Sequence, residues 1–317
     1  MLSLFKNSLI VMMASFVSVA CAQQSNLPET YSKKVLIEAK WGDGVGEFGL
    51  STTDMGPAGP TDFTVAPNGD IYILDNMGMN VRIAKYNAEG MFLEYMYLYQ
   101  APVKKFKNER ELVKYRLGHI LSKEHKNAMA DQIAVDKQNF VYMFQAEQGI
   151  GKIVKYEWNG KVINEITGVP RGRLKFEGSR LFITDGFVSA DGCNKWELLD
   201  SKGKLLADFK NIGITKSVVS KVKVKEPKNS RPFLFYIDTY ANYYYYTYFT
   251  KTEKIKIYKY NKNGTLLSII DVIENRNEMY GAPIGNKLLH ISEYGDIYYL
   301  LTTPDNVILV KCYLESK

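Results

Sequence analysis

One hairpin pattern occurs four times along the chain and limits the folds that the chain can form. In each copy, alternating apolar residues lead into a polar turn that ends in glycine, and a second apolar strand follows. Glycine supplies the positive φ that a tight hairpin turn requires. The four turns end at Gly90, Gly160, Gly203 and Gly264.

Two further apolar strands precede every hairpin, and a fifth unit near the C-terminus has three strands. Four-stranded sheets in tandem are typical of β-propeller blades, because a single blade cannot bury both of its faces. The strands before the hairpins are predicted at 63–66 and 71–74, 132–135 and 140–144, 173–176 and 181–184, and 233–237 and 243–249. Those of the fifth unit are predicted at 287–291, 296–301 and 307–313.

The spacing of the turn glycines predicts the number of blades. The glycines lie 70, 43 and 61 residues apart, and a four-stranded blade takes roughly 40–45 residues. The two excesses are too short for a further blade, so we interpret them as insertions near 101–127 and 212–230. The spacing therefore predicts an all-β propeller of five blades.

The N-terminal strand 34–40, Lys-Val-Leu-Ile-Glu-Ala-Lys, has no partner in the first blade. The last blade lacks one strand because the chain ends. Pairing the two would close the ring and remove an exposed sheet edge. We therefore expect the N-terminal strand to complete the last blade, within one propeller domain that spans residues 34–317.

Residues 1–22 have the pattern of an export signal, with a short apolar run at 9–20 and small residues around Cys21. Cleavage after Ala22 would release a secreted or periplasmic protein. Cleavage before Cys21 resembles that at a bacterial lipobox, although Ser18 stands where that motif usually has Leu, and would leave a lipidated cysteine as the only membrane contact. Residues 23–33 form a polar tether in either case.

Cys21 is either removed or lipidated, so only Cys193 and Cys312 remain to pair, and they lie in blades that are not neighbours. We therefore expect free buried thiols. These cysteines and the three scattered histidines, His119, His125 and His290, do not form a zinc ligand set.

Two segments resemble a known family. The segment 41–48, Trp-Gly-Asp-Gly-Val-Gly-Glu-Phe, and the segment 67–90, which contains Pro-Asn-Gly-Asp, Asp75-Asn76 and Asn-Val-Arg-Ile, are similar to the NHL-repeat propellers of bacterial exported proteins. The similarity is specific over 35–95 and general beyond. The resemblance implies a ring used mainly for binding or scaffolding, and the usual blade number in the family is six rather than five.

Several polar residues are expected on the loop faces of the ring. Asp75, Asn76 and Asp185 follow the second strand of their blades, while Asp62 and Asp131 precede the first strand. Carboxylates from several blades could converge on Ca²⁺, as in a hydrolase or lyase of the gluconolactonase type. Because the signal recurs with the repeat, we favour hydrogen bonding of each residue within its own turn.

The first insertion differs from the blades. Its apolar residues recur at helical spacing and its polar side is basic, which suits an acidic partner or anionic lipid. A cap packed on the ring with solvated charges is the alternative. The basic residues singled out are Lys104, Lys105, Arg110 and Arg116.

The aromatic run Tyr243–Phe249 could stack a sugar or a peptide. We favour a core role, since both faces of a propeller blade are covered. The net charge of +7 is modest, and no nucleic-acid-binding motif is present. The sequence thus predicts an exported, non-enzymatic propeller without a cofactor that binds an envelope protein or glycan, with the metal-dependent enzyme as the alternative.

Overall fold

The structure of the protein is a computed structural model. The structure describes residues 27–53, 56–76, 81–99, 111, 114, 131–147, 150–170, 172–177, 180–184, 192–193, 195–199, 204–211, 214–215, 230–238, 240–249, 254–273 and 288–315.

The described chain forms five four-stranded antiparallel sheets arranged in a ring, which confirms the predicted five-bladed propeller. Within blades 1 to 4, the strands pair in chain order from the channel outwards. Blade 1 contains β4 (Asp62–Val65), β5 (Ile71–Asp75), β6 (Val81–Tyr86) and β7 (Phe92–Tyr99). Blade 2 contains β8 (Gln132–Val135), β9 (Val141–Glu147), β10 (Ile150–Tyr156) and β11 (Val162–Val169). Blade 3 contains β12 (Arg173–Glu177), β13 (Arg180–Thr184), β15 (Lys195–Leu199) and β16 (Leu205–Asn211).

The last two blades bring the chain ends together. Blade 4 contains β18 (Ser230–Ile237), β19 (Tyr243–Phe249), β20 (Lys254–Tyr260) and β21 (Leu266–Ile273). Blade 5 contains β22 (Leu289–Ile291), β23 (Ile297–Thr302) and β24 (Asn306–Leu314), and β1 (Tyr31–Lys40) is its outermost strand. β1 pairs antiparallel with β24, with Val35 opposite Val310, so the predicted closure of the ring is confirmed. Two short pairs, β2 (Ser51–Thr53) with β3 (Gly56–Ala58) and β14 (Gly192–Cys193) with β17 (Ile214–Thr215), lie outside the blades.

The hydrophobic core lies between neighbouring blades. One cluster joins blades 1 and 2, and others join blades 2 and 3, blades 4 and 5, and blades 5 and 1. Tyr244 and Tyr246 of the aromatic run are buried in the cluster of blades 4 and 5, which confirms their core role. Cys312 is buried and free, and burial raises the pKa of its thiol to about 11.

The two faces of the ring differ in their connections. One face, here the turn-rich face, carries five-residue turns such as 66–70, 87–91, 136–140 and 157–161, together with the start of β1. At the opposite face, here the connection-rich face, lie the strand ends at which the connections between blades begin and end, including the ends that flank both predicted insertions. Of the first insertion the structure describes Glu111 and Lys114, both helical and exposed. In the described part of the chain, no helix has the length and hydropathy needed to cross a bilayer.

Candidate functional site

Four of the residues predicted to be functional lie at the connection-rich ends of strands. Asp75 ends β5 and Asn76 follows it, whereas Asp62 begins β4 and Asp131 precedes β8. The remaining predicted residues, Asp185, Lys104, Lys105, Arg110, Arg116 and the lipidation candidate Cys21, lie outside the described residues.

Asp75 belongs to a buried ion pair. Its Oδ2 accepts from Nε of Arg82 at 2.9 Å, and both oxygens lie 3.1 Å from the backbone N–H of Gly49. Both side chains are at most 1% exposed. Arg82 also donates to the carbonyl of Glu47 at 2.8 Å and lies 4.1 Å from the ring centroid of Tyr95. The pair therefore fixes the loop before blade 1 to the sheet of blade 1.

Asn76 and Asp131 make local contacts. The side-chain oxygen of Asn76 accepts from the hydroxyl of Thr61 at 2.9 Å. The backbone N–H of Asp131 donates to the carbonyl of Phe144 at 2.8 Å. The Asn76 bond joins the residue after β5 to the residue before β4, and the Asp131 bond is made by the backbone.

Asp62 lies on the channel wall and bridges blades. One oxygen accepts from the backbone N–H of Ile133 in blade 2 at 2.8 Å, and the other lies 4.0 Å from the guanidinium of Arg173 in blade 3. Gln132 plays a similar part, because its amide donates to the carbonyl of Gly172 and accepts from the N–H of Leu174. The innermost strand of a blade is a sheet edge, and these side chains satisfy its backbone groups.

Two cations of β12 reach across the channel to blade 5. Arg173 donates to the carbonyl of Leu289 at 3.0 Å, and Lys175 donates to that of Ile291 at 3.2 Å. The ammonium of Lys175 also lies 3.2 Å from the ring centroid of Tyr236 in blade 4. Sequence reasoning missed this axial cluster, although the alternation Arg-Leu-Lys-Phe in a channel-side strand was a usable signal.

His290 of β22 lies beside these cations. Burial lowers the pKa of His290 well below its usual value, and the charges of Lys175 and Arg173 lower it further. The ring is therefore a neutral imidazole at pH 7, able to donate or accept a hydrogen bond. Its centroid is 6.2 Å from the rings of both Phe63 and Tyr298.

Asp75 and Asp62 do not belong to a cluster of potential metal ligands among the described residues. No three His, Cys, Asp or Glu side chains among them are grouped to hold a metal ion. Asp75 is already paired with the guanidinium of Arg82. Asp62 accepts from the backbone N–H of Ile133 and lies near the guanidinium of Arg173. A hard divalent cation needs several oxygen ligands at one point, and these contacts direct the oxygens elsewhere.

A cavity of about 300 Å³ opens on the turn-rich face, between blades 5 and 1. Its lining includes Thr64 of blade 1, Lys175 of blade 3, and His290, Tyr298 and Lys311 of blade 5. Lys311 is paired with Asp296 at 2.6 Å, so its charge is largely compensated. No sequence signal pointed to this cavity, because it lies between segments that are far apart in the chain.

No protein-family model and no curated protein matches this sequence. Among solved structures, the chain is similar to the glutaminyl cyclase of Myxococcus xanthus at 10% identity and a TM-score of 0.41, over 91% of this chain and 98% of that chain. It is also similar to an endo-arabinase from Bacteroides thetaiotaomicron at 10% identity and a TM-score of 0.37, over 81% and 95%. A quinonprotein alcohol dehydrogenase-like protein from the same organism matches at 13% identity and a TM-score of 0.27, over 65% of this chain and 44% of that chain.

Proposed function

We propose that this protein is an exported, non-enzymatic propeller that binds an envelope protein or glycan through its connection-rich face. The observation that carries the proposal is the difference between the two faces. Tight turns and the start of β1 occupy one face, while the longer connections, the first insertion among them, belong to the other. Binding residues concentrate in loops that a rigid scaffold positions.

The channel contacts support a scaffold rather than a metal-dependent hydrolase. The side chains of Asp62, Gln132, Arg173 and Lys175 bond backbone groups of other blades. These bonds hold blades together at the axis, where the enzyme alternative would place its ligands. The same contacts stabilise the ring that carries the loops.

We also propose that the ring is of the NHL-repeat type. The segment 41–48 and the Asp75-to-Arg82 segment carry the sequence resemblance. In the fold they meet, since Arg82 donates to the carbonyl of Glu47 and pairs with Asp75. The resemblance thus involves residues that act together in holding blade 1.

The proposed lipid anchor at Cys21 would orient the ring. The backbone N–H of Glu29 donates to the carbonyl of Leu267, and its carboxylate accepts from Lys259 at 2.6 Å, which fixes the tether at the turn-rich face. The chain from Cys21 to Glu29 spans at most about 28 Å. A lipidated Cys21 would therefore keep the turn-rich face near the bilayer and direct the connection-rich face away from it.

The test is capture of partners from the envelope fraction of the source cells by the purified mature protein. Replacing the four basic residues of the insertion by serine should reduce capture at least about fivefold, because each exposed cation near a charged partner contributes to association. The matched control replaces four exposed lysines elsewhere and should capture as wild type does. The insertion variant carries changes at Lys104, Lys105, Arg110 and Arg116, and the control at Lys34, Lys137, Lys161 and Lys262.

A calcium titration followed by thermal unfolding separates the two functions. The proposal expects no saturable rise of Tm. A saturable rise with Ca²⁺, together with unchanged capture by the insertion variant, would favour the hydrolase and refute the binding proposal.

A further inference from the structure

Four blades repeat a tyrosine–lysine pair near the turn-rich face. The tyrosine lies on the second strand and the lysine stands opposite it on the third strand. In each pair the ammonium lies 5.1 to 5.7 Å from the ring centroid, a cation–π distance. The pairs are Tyr72 with Lys85, Tyr142 with Lys155, Tyr244 with Lys259, and Tyr298 with Lys311.

In three blade interfaces an aromatic ring of this chain packs against the pair. Trp158 of blade 2 lies 5.5 Å edge-on from Tyr72, and Lys85 lies 5.6 Å from the Trp158 ring. Phe176 of blade 3 lies 5.3 Å edge-on from Tyr142. At the interface of blades 4 and 5 the aromatic ring is that of Tyr31 in the closing strand, which lies 5.6 Å from the ammonium of Lys259.

The interface of blades 5 and 1 differs. The five-residue turns 66–70 and 87–91 of blade 1 correspond to 136–140 and 157–161 of blade 2. Ala88 therefore occupies the position of Trp158, and Gly69 occupies that of Asn139, whose side chain bonds the hydroxyl of Tyr72. With the two smallest residues at these positions, the space beside Tyr298 and Lys311 is the cavity of about 300 Å³.

We propose that this cavity binds a neutral aromatic ring of indole size, seated between blades 5 and 1 as Trp158 is seated between blades 1 and 2. Tyr298 offers its ring and Lys311 its ammonium. The equivalent groups of blade 1, the ring of Tyr72 and the ammonium of Lys85, contact Trp158. His290 and the hydroxyl of Thr64, which also line the cavity, supply hydrogen-bonding groups for an indole N–H. Lys311 is paired with Asp296, and the two other charged residues of the lining, Lys175 and Glu293, are of opposite sign, so the lining has no net formal charge, which favours a neutral ring over an anion.

The ring could belong to a small molecule or to a tryptophan of a polypeptide. Three probes distinguish these sources: indole, N-acetyl-tryptophanamide and a Gly-Ser peptide with one central Trp. Binding of the first two indicates a small-molecule site, whereas binding of the peptide alone indicates a polypeptide source. Either result supports the proposal, which does not depend on the function proposed for the opposite face.

The decisive variant is Ala88→Trp, which puts an indole of this chain where the ligand would bind. Ala88 is exposed, and the equivalent turn of blade 2 carries a tryptophan, so we expect the variant to fold. The matched control is Lys262→Trp, which introduces a tryptophan at the corresponding position of the turn 261–265 in blade 4, away from the cavity. Saturation-transfer NMR and calorimetric titration measure probe binding to each protein.

Wild type and Lys262→Trp should bind at least one probe saturably, and Ala88→Trp should bind it at least about tenfold more weakly. Lys311→Met, which keeps the side-chain stem, should weaken binding about two- to fivefold through loss of the cation–π contact. Absence of saturable binding of all three probes to wild type would overturn the proposal. Unchanged binding to a folded Ala88→Trp, or binding of glucose or arabinose but of no indole probe, would overturn it as well.

Discussion

The buried pair of Asp75 and Arg82 offers the sharpest test of whether a sequence-predicted site residue is structural. Asp75→Leu would leave the guanidinium of Arg82, which is 0% exposed, without its carboxylate partner. Removing one member of a buried pair costs about 3–5 kcal/mol, because a charge remains buried and uncompensated. The free energy of unfolding should fall by that amount.

The double variant Asp75→Leu/Arg82→Met removes both charges. It should lose less stability than the sum of the two single variants, with a coupling of about 2 kcal/mol or more, since neither charge is then left alone. Part of the loss will remain because Arg82 also binds the carbonyl of Glu47. Glu165→Gln in the more exposed pair with Lys152 is the matched control and should cost about 0.5 kcal/mol or less.

Urea unfolding followed by circular dichroism measures these differences, and calorimetry should show a fall in Tm of roughly 10 °C for Asp75→Leu. Partner capture by the folded variant should stay unchanged. If Asp75→Leu left Tm within about 2 °C of wild type and reduced capture, Asp75 would be a binding residue and the structural interpretation would be wrong.

Two further predictions concern ring closure and the channel. Gly90→Ala should be more destabilising than Gly160→Ala in urea unfolding. Both glycines have positive φ, of 88° and 87°, but a Cβ at Gly90 would lie 2.0 Å from the carbonyl oxygen of Leu36 in the closing strand, whereas one at Gly160 would lie at an ordinary contact distance of 4.0 Å from the carbonyl oxygen of Tyr97. Equal losses would contradict the close approach of blade 1 to that strand. Because the pKa of His290 is lowered in the fold, the unfolded chain takes up a proton below about pH 6.5 that the folded protein does not, so stability falls on acidification. The free energy of unfolding of His290→Gln should therefore fall by about 1 kcal/mol less than that of wild type between pH 7.5 and 5.5 in urea titrations. An identical pH dependence would show that the imidazole has the same pKa in the folded and the unfolded protein.

The repeated hairpins, the number of blades and the closing strand could be predicted because they depend on local physics. Alternation of apolar residues with period two and glycines at turns specify strands and hairpins within short segments. The unpaired strand 34–40 and the missing strand of the last unit then left one simple way to close the ring. The burial of Tyr244 and Tyr246 followed from the same reasoning, since a blade is covered on both faces.

The roles of individual polar residues were decided by tertiary structure. A carboxylate acts according to what lies within a few ångströms of it, and for Asp62 the neighbours come from blades 2 and 3. The cavity likewise depends on residues that are distant in the chain. The small residues Gly69 and Ala88 line it together with Tyr298, which is more than 200 residues away in the sequence. The sequence by itself determined which segments form strands and how they repeat, because those choices are local, whereas the partners of each charge and the gaps between blades arise only when distant segments meet.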